Sequence, residues 1–114
     1  MRRAVSALLM SAIALAMANP AAAQGTYPTR PITLVVPFAA GGPNDVMSRI
    51  VAEHMSRTLG QPIIIENAAG AGGTTRSARV AQAAPDGYTL LSGHVGTHAA
   101  APALYPNLRY NPLT

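Results

Sequence analysis

Two glycines, Gly41 and Gly42, stand directly before Pro43-Asn44-Asp45, and that spacing suits the capture of an anion. Paired glycines let backbone N–H groups approach a ligand with no Cβ in the way. The residues that follow open a helix whose first amides have no internal acceptor. Those donors, with the positive end of the helix dipole, attract a carboxylate without help from a lysine or arginine. Asp45 is the awkward member. Its charge repels an anion unless the side chain points away, orients a water or accepts hydrogen bonds from the ligand. The same residues equally fit a plain tight turn in which Asn44 or Asp45 caps the helix.

Other candidate chemistry is thinner. Gly70-Ala71-Gly72-Gly73 begins a G-x-G-x-x-G pattern, but Thr75 stands where the last glycine belongs, and the run follows the second predicted strand rather than the first. A close-packed strand-to-helix turn accounts for it better than a dinucleotide site. The chain contains no lysine, which removes a P-loop. His94 and His98 have a spacing that chelates zinc on a helix, yet no third ligand is near and Gly96 argues for a loop, so no metal is expected. His54 reads as a partly exposed helix residue. Ser92-Gly93 lacks the G-x-S-x-G elbow, and no two carboxylates are placed for acid–base work. No catalytic residue and no cofactor are expected.

The elements that must position these residues follow from periodicity. Ile32-Thr33-Leu34-Val35-Val36 is apolar and β-branched between Pro31 and Pro37, the pattern of a strand covered on both faces. From 44 to 59 the period becomes helical, with Val46, Met47, Ile50, Val51, Met55 and Leu59 on one face and Ser48, Arg49, Glu53, Ser56 and Arg57 mostly on the other. Gly60 and Pro62 stop that helix. A second strand is expected over 62–66, a second helix over 74–84, a third strand over 88–91 and a short helix over 99–104. Pro85-Asp86-Gly87 supplies the turn between the second helix and third strand. The order β-α-β-α-β predicts an α/β fold with a parallel sheet. In such sheets ligands bind outside the carboxyl ends of the strands, which here are the loops 38–43, 67–73 and 92–98.

Bulk properties narrow the class. Met1-Arg2-Arg3, an apolar run from Ala4 to Ala18, the breaker Asn19-Pro20 and the small residues Ala21-Ala22-Ala23 have the layout of a secretory leader, cleaved after Ala23. The run falls short of the roughly 20 apolar residues of a membrane span. The 91 residues from Gln24 make one small domain with a thin core, and the turn-like close at 110–114 reads as a truncated chain. The net charge is +4, but Arg2 and Arg3 belong to the leader and the other six arginines are dispersed. A nucleic-acid partner needs a basic stripe or patch, so none is expected. No cysteine is present, which excludes disulfides, thiolate metal sites and a lipidated N-terminal cysteine.

An ordered set of short motifs carries a resemblance. These are Tyr27-Pro28-x-Arg30-Pro31-Ile32, Leu34-Val35-Val36-Pro37-Phe38-x-x-Gly41-Gly42-x-x-Asp45, Leu59-Gly60-Gln61-Pro62, Glu66-Asn67-x-x-Gly70-Ala71-Gly72-Gly73, Ala83-Ala84-Pro85-Asp86-Gly87-Tyr88-Thr89-Leu90 and Gly96-Thr97-His98-Ala99. Together they resemble the opening of the tripartite tricarboxylate transporter substrate-binding proteins, the Bug-type periplasmic receptors. The likeness runs from Tyr27 to Pro112. It implies a two-lobed periplasmic-binding-protein-like fold that closes on a small carboxylate, often a di- or tricarboxylate or an acidic amino acid. It also implies a monomer that passes its ligand to the membrane components of a transporter. Residues 24–114 would then be the N-terminal part of the first lobe. In such receptors the loop after the first strand holds a carboxylate through backbone groups and waters, which carries over to Phe38, Gly41, Gly42, Asn44 and Asp45. Ser92, His94, Thr97 and His98 form a second set of contacts. Asn44 departs from the family, where a small hydroxyl residue is frequent. A further ligand-holding loop would lie beyond Thr114, so these 114 residues should hold at most half a site.

Two other classes fit the residues alone. An exported Rossmann-like enzyme would need its catalytic groups outside this sequence. A truncated remnant of the receptor would keep the family but lose the activity.

Overall fold

The computed structural model describes residues 26–113, and the leader expected over 1–23 lies outside them. The chain runs β1 (Ile32–Val36), α1 (Pro43–Leu59), β2 (Ile63–Asn67), a 3₁₀ turn (Ala71–Gly73), α2 (Thr74–Ala81) and β3 (Thr89–Leu91). A wide π turn (Gly96–Ala100) then leads into α3 (Ala101–Leu104). The β-α-β-α-β order predicted from the sequence is thus present, with element ends shifted by a few residues.

The three strands form one parallel sheet in the order β2-β1-β3. Leu34 stands in register with Ile65 on one side and Leu90 on the other. β1 is the central strand, and Ile32, Val35 and Val36 are wholly buried. This is why its sequence is continuously apolar rather than alternating. The chain passes from β1 outward to β2 and then back across β1 to β3. Right-handed crossovers in those two directions put α1 and α2 on opposite faces of the sheet.

Local chemistry sets the ends of α1. Pro43 occupies the first helical position, where its missing N–H costs nothing. Gly60 takes the left-handed conformation (φ 68°) and donates its amide to the Ser56 carbonyl, closing the helix.

The face that α1 turns to the sheet is not its apolar one. Asp45, Ser48 and Ala52 are its buried residues, whereas Val46, Met47, Ile50 and Val51 are 47–60% exposed. Two physical features make this possible. Ser48 and Ala52 are small enough to let the helix lie close to the strands. Every buried polar side chain is also satisfied, since no buried side-chain nitrogen or oxygen among the described residues lacks a partner. Ser56 adds a tie by accepting the Ile63 amide at 3.0 Å, which joins the last turns of α1 to the start of β2. The apolar stripe lies beside this packed face, along the helix flank.

The second helix is also shorter than expected, because Gln82 already closes it through its amide. Ser77 and Ala78 are its buried residues. At the amino ends of the strands, Arg30 pairs with Asp86 at 3.1 Å and lies 3.9 Å over the Tyr88 ring. Tyr27 donates to the Gly87 carbonyl at 2.6 Å, so the segment before β1 is held against the turn before β3.

The central position of β1 sets a stability expectation. Ile32→Ala should lower the unfolding free energy by about 2–5 kcal/mol, read as a fall in the urea midpoint. Ile64→Ala, at a site that is 53% exposed on β2, should change it by no more than about 0.5 kcal/mol.

Candidate functional site

The order β2-β1-β3 places a topological switch point between β1 and β3, where successive connections leave in opposite directions. Ligand crevices of open α/β sheets lie at the carboxyl ends of such strands. The two loops that leave these ends, 38–43 and 92–98, are joined here by direct contacts. Asn44 donates through Nδ2 to the Ser92 carbonyl at 3.2 Å, and the Ser92 hydroxyl lies 3.1 Å from Asn44 Oδ1. Ser48 donates to the Asn44 carbonyl at 2.6 Å, with its hydroxyl 2.7 Å from that of Ser92. The Phe38 and His94 rings stack with centroids 4.3 Å apart. Phe38, Gly42, Pro43, Asn44, Met47 and His94 line a cleft of about 450 Å³.

The glycine bend works differently from the sequence expectation. Gly41 has φ +80°, and a Cβ there would meet nothing within 4 Å, so conformation rather than crowding requires the glycine. Its amide is already used, donating to Asp45 Oδ2 at 2.8 Å. Gly42 is the helix N-cap, and no side chain caps α1. Pro43 has no amide to offer, and the Val46 amide is taken by the Gly42 carbonyl. The donors of the first turn with no helical acceptor are therefore the amides of Asn44 and Asp45.

Asp45 turns its carboxylate into the protein. It is 3% exposed and bonded on both oxygens: Oδ2 accepts from Gly41 and from Arg49 Nε at 3.0 Å, and Oδ1 accepts from Asn67 Nδ2 at 2.8 Å. The Arg49 hydrogen bond is the largest cause of a carboxyl pKa lowered from 3.8 to about 2. The Gly41 and Asn67 hydrogen bonds add to it, and burial opposes it. Of the sequence readings of Asp45, the structure matches an inward-turned side chain engaged by protein donors.

The second loop is organised by Thr97, which is fully buried. Its hydroxyl receives the His94 amide at 3.1 Å and lies 2.8 Å from His98 Nδ1. Tyr110 donates to the Thr97 carbonyl. Thr97 is therefore held inside the loop. His98 folds over Gly93, in the space a Cβ on that residue would need. His94 accepts the Gly96 amide on Nδ1 at 2.7 Å, so the neutral ring carries its proton on Nε2. The Nδ1 atoms of the two histidines thus make separate contacts within their own loop.

Of the nine residues expected from the sequence, Phe38, Gly42, Asn44 and His94 line the cleft, with Ser92 directly behind Asn44. Gly41 and Asp45 brace the bend, and Thr97 and His98 build the second loop. Three residues went unnoticed as site builders: Ser48, Asn67 and Tyr110. Ser48 lies one helical turn after Asn44, and Asn67 ends β2 at the carboxyl edge of the sheet, so spacing could have singled out both. The third loop contributes by packing. A Cβ on Gly73 would come within 2.9 Å of Thr97 Cγ2 and 3.1 Å of Phe38 Cζ, so the 70–73 run is a close-packed turn against both other loops. A separate cavity of about 250 Å³ between α2 and residues 105–109 contains none of the nine.

A parallel α/β sheet with its loops gathered at the switch point is the architecture of a periplasmic-binding-protein lobe, and solved proteins of that kind match the chain. MatC from Rhodopseudomonas palustris, with bound malate, is 59% identical with a TM-score of 0.73, over 75% of this chain and 29% of that one. The R. palustris protein Rpa4515 with adipate is 40% identical with a TM-score of 0.74, over 77% and 29%. BugT of Bordetella pertussis is 45% identical over 89 residues, 77% of this chain and 27% of that protein. Residues 47–114 match the model of the tripartite tricarboxylate transporter family receptors, and the chain belongs to that family. It spans about 27–31% of the length of its curated relatives.

Asp45 gives the site a defined acid response. A depressed native pKa means that the unfolded chain takes up the proton first, so the stabilisation is complete above 3.8 and is lost as pH falls through about 2. The stability gap between the native protein and Asp45→Asn should be widest at neutral pH and close across that window in urea titrations. Gly73→Ala should lower the melting temperature markedly, since it adds both a strained φ of +86° and a clash with Thr97.

Proposed function

We propose that residues 24–114 form the N-terminal part of the first lobe of a monomeric periplasmic solute receptor exported by the 1–23 leader. The receptor binds a small carboxylate, of the di- or tricarboxylate or acidic amino acid class. It delivers that ligand to the membrane components of a tripartite tricarboxylate transporter. Membership of the receptor family supports this reading, as do the malate and adipate held by the similar R. palustris proteins. The observation that carries it is the uncapped first turn of α1 at the switch point, with Asn44 and His94 lining one cleft and the Asp45 charge turned inward. Backbone amides at a helix N-terminus favour an anion. The apolar walls from Phe38 and Met47 suit the carbon chain between two carboxyl groups. Such a site performs binding, and no bond of the ligand is made or broken.

The test joins residues 27–112 of this chain to the remaining part of the malate-bound relative and titrates malate, adipate and glutamate by calorimetry. One of these ligands should bind with 1:1 stoichiometry. His94→Ala should weaken it by about 10- to 100-fold, the span expected for a hydrogen bond to a charged group. A folded chimera that binds no carboxylate from a broader panel would reject the proposal. The 114-residue chain alone is expected to give no measurable heat.

A further inference from the structure

His94 lines the cleft, and its main chain is held chiefly by Thr97. Thr97 donates its own amide to the His94 carbonyl at 3.1 Å and receives the His94 amide on its hydroxyl, also at 3.1 Å. The ring is fixed separately, by the Gly96 amide on Nδ1 and by the stack on Phe38. A shift of Thr97 would therefore carry the His94 backbone with it and disturb both ring contacts.

The carbonyl of Thr97 has an unusual supply problem. Inside the π turn each amide donates to the carbonyl five residues back, as Ala101 does to Gly96. In that register the donor for Thr97 would be the amide of residue 102. Residue 102 is a proline, which has no N–H to give. Thr97 is fully buried, so its carbonyl would be left unpaired away from water, a costly state for a backbone group. The Tyr110 hydroxyl fills the gap, donating to the Thr97 carbonyl at 2.5 Å from 13 positions further on.

We propose that Tyr110 is a positioning residue for ligand binding: it supplies the hydrogen bond that Pro102 withholds from Thr97, and through Thr97 it sets where His94 stands in the cleft. A helical amide at 102 would tie the Thr97 carbonyl to α3 alone. A phenol ties it instead to the segment that follows α3, which ends at Leu104. The ligand loop and that segment thereby hold one another in place. The effect on affinity rests on the carboxylate reading above, whereas the effect on the His94 ring does not.

The test uses the chimera of residues 27–112 with the remaining part of the malate-bound relative. Tyr110→Phe removes one hydroxyl and keeps the aromatic ring. It should weaken whichever of malate, adipate and glutamate the parent chimera binds by about three- to tenfold, the span of one neutral hydrogen bond. In mildly alkaline buffer the ¹⁵N resonances of the His94 ring should also move from the Nε2-protonated pattern toward the average of two tautomers. Tyr105→Phe, whose hydroxyl faces Gly72, should alter neither quantity. Pro102→Ala gives back the missing amide, so adding it to Tyr110→Phe should restore most of the affinity and the parent His94 pattern.

The proposal is overturned if Tyr110→Phe leaves the His94 resonances unchanged, or if they move with no loss of affinity in a chimera that binds. It is equally overturned if Pro102→Ala fails to restore them. Should Tyr110→Phe alone not fold, the double variant is expected to fold with the parent pattern, and its failure to do so rejects the idea. A chimera that binds none of the three acids but shows both the His94 shift and its reversal would sink the carboxylate reading and leave the role of Tyr110 standing.

Discussion

The Asp45 carboxylate is the junction on which the architecture of the site depends. It holds the Gly41 bend and, through Arg49, the first turns of α1, each four residues away, and ties both to the end of β2 through Asn67, 22 positions on. A buried carboxylate is costly unless its lone pairs are filled, and here they are filled by donors that must each stand in one place. The same arrangement removes a negative charge from the mouth of the cleft. An acid at the third position of the helix thus becomes compatible with anion binding at that helix's N-terminus, because its charge is engaged on the inner side.

A second polar network performs the matching task between β1 and β3. Asn44, Ser48 and Ser92 join the first and third loops through hydroxyl and amide groups, and the Phe38–His94 stack closes over them. Asn44 is drawn into this network through its side-chain amide. Its amide group spans to Ser92, while its backbone N–H remains a first-turn donor. The Gly96 amide fixes the His94 tautomer, so the ring offers a donor rather than a second acceptor. Each of these contacts joins residues far apart in the chain or fixes a proton, and neither leaves a periodic trace.

The helix α1 shows why a periodicity argument can identify an element correctly and still misplace its faces. The apolar set at Val46, Met47, Ile50, Val51, Met55 and Leu59 shares one helical face, and hydrophobic burial ordinarily turns such a face onto the sheet. Close approach and hydrogen bonding orient it instead: small Ser48 and Ala52 face the strands, and Asp45 is anchored at both oxygens. A stripe of apolar side chains then flanks the packed face.

Sequence alone determined the alternation of strands and helices, the parallel class of the sheet, the three glycine-rich or small-polar loops and the family likeness. Those properties rest on local propensity, turn chemistry and short motifs, each written within a few consecutive residues. Tertiary structure decided which amides of the first helical turn stay free, that Asp45 looks inward and that Thr97 and His98 serve their own loop. It also decided that Gly73 must be small because Thr97 and Phe38 press against it. The anchoring of Asp45 by Asn67 and the packing at Gly73 depend on contacts between residues about 20 to 35 positions apart. Such contacts exist only once β1 has paired with both neighbours and brought the loop ends together.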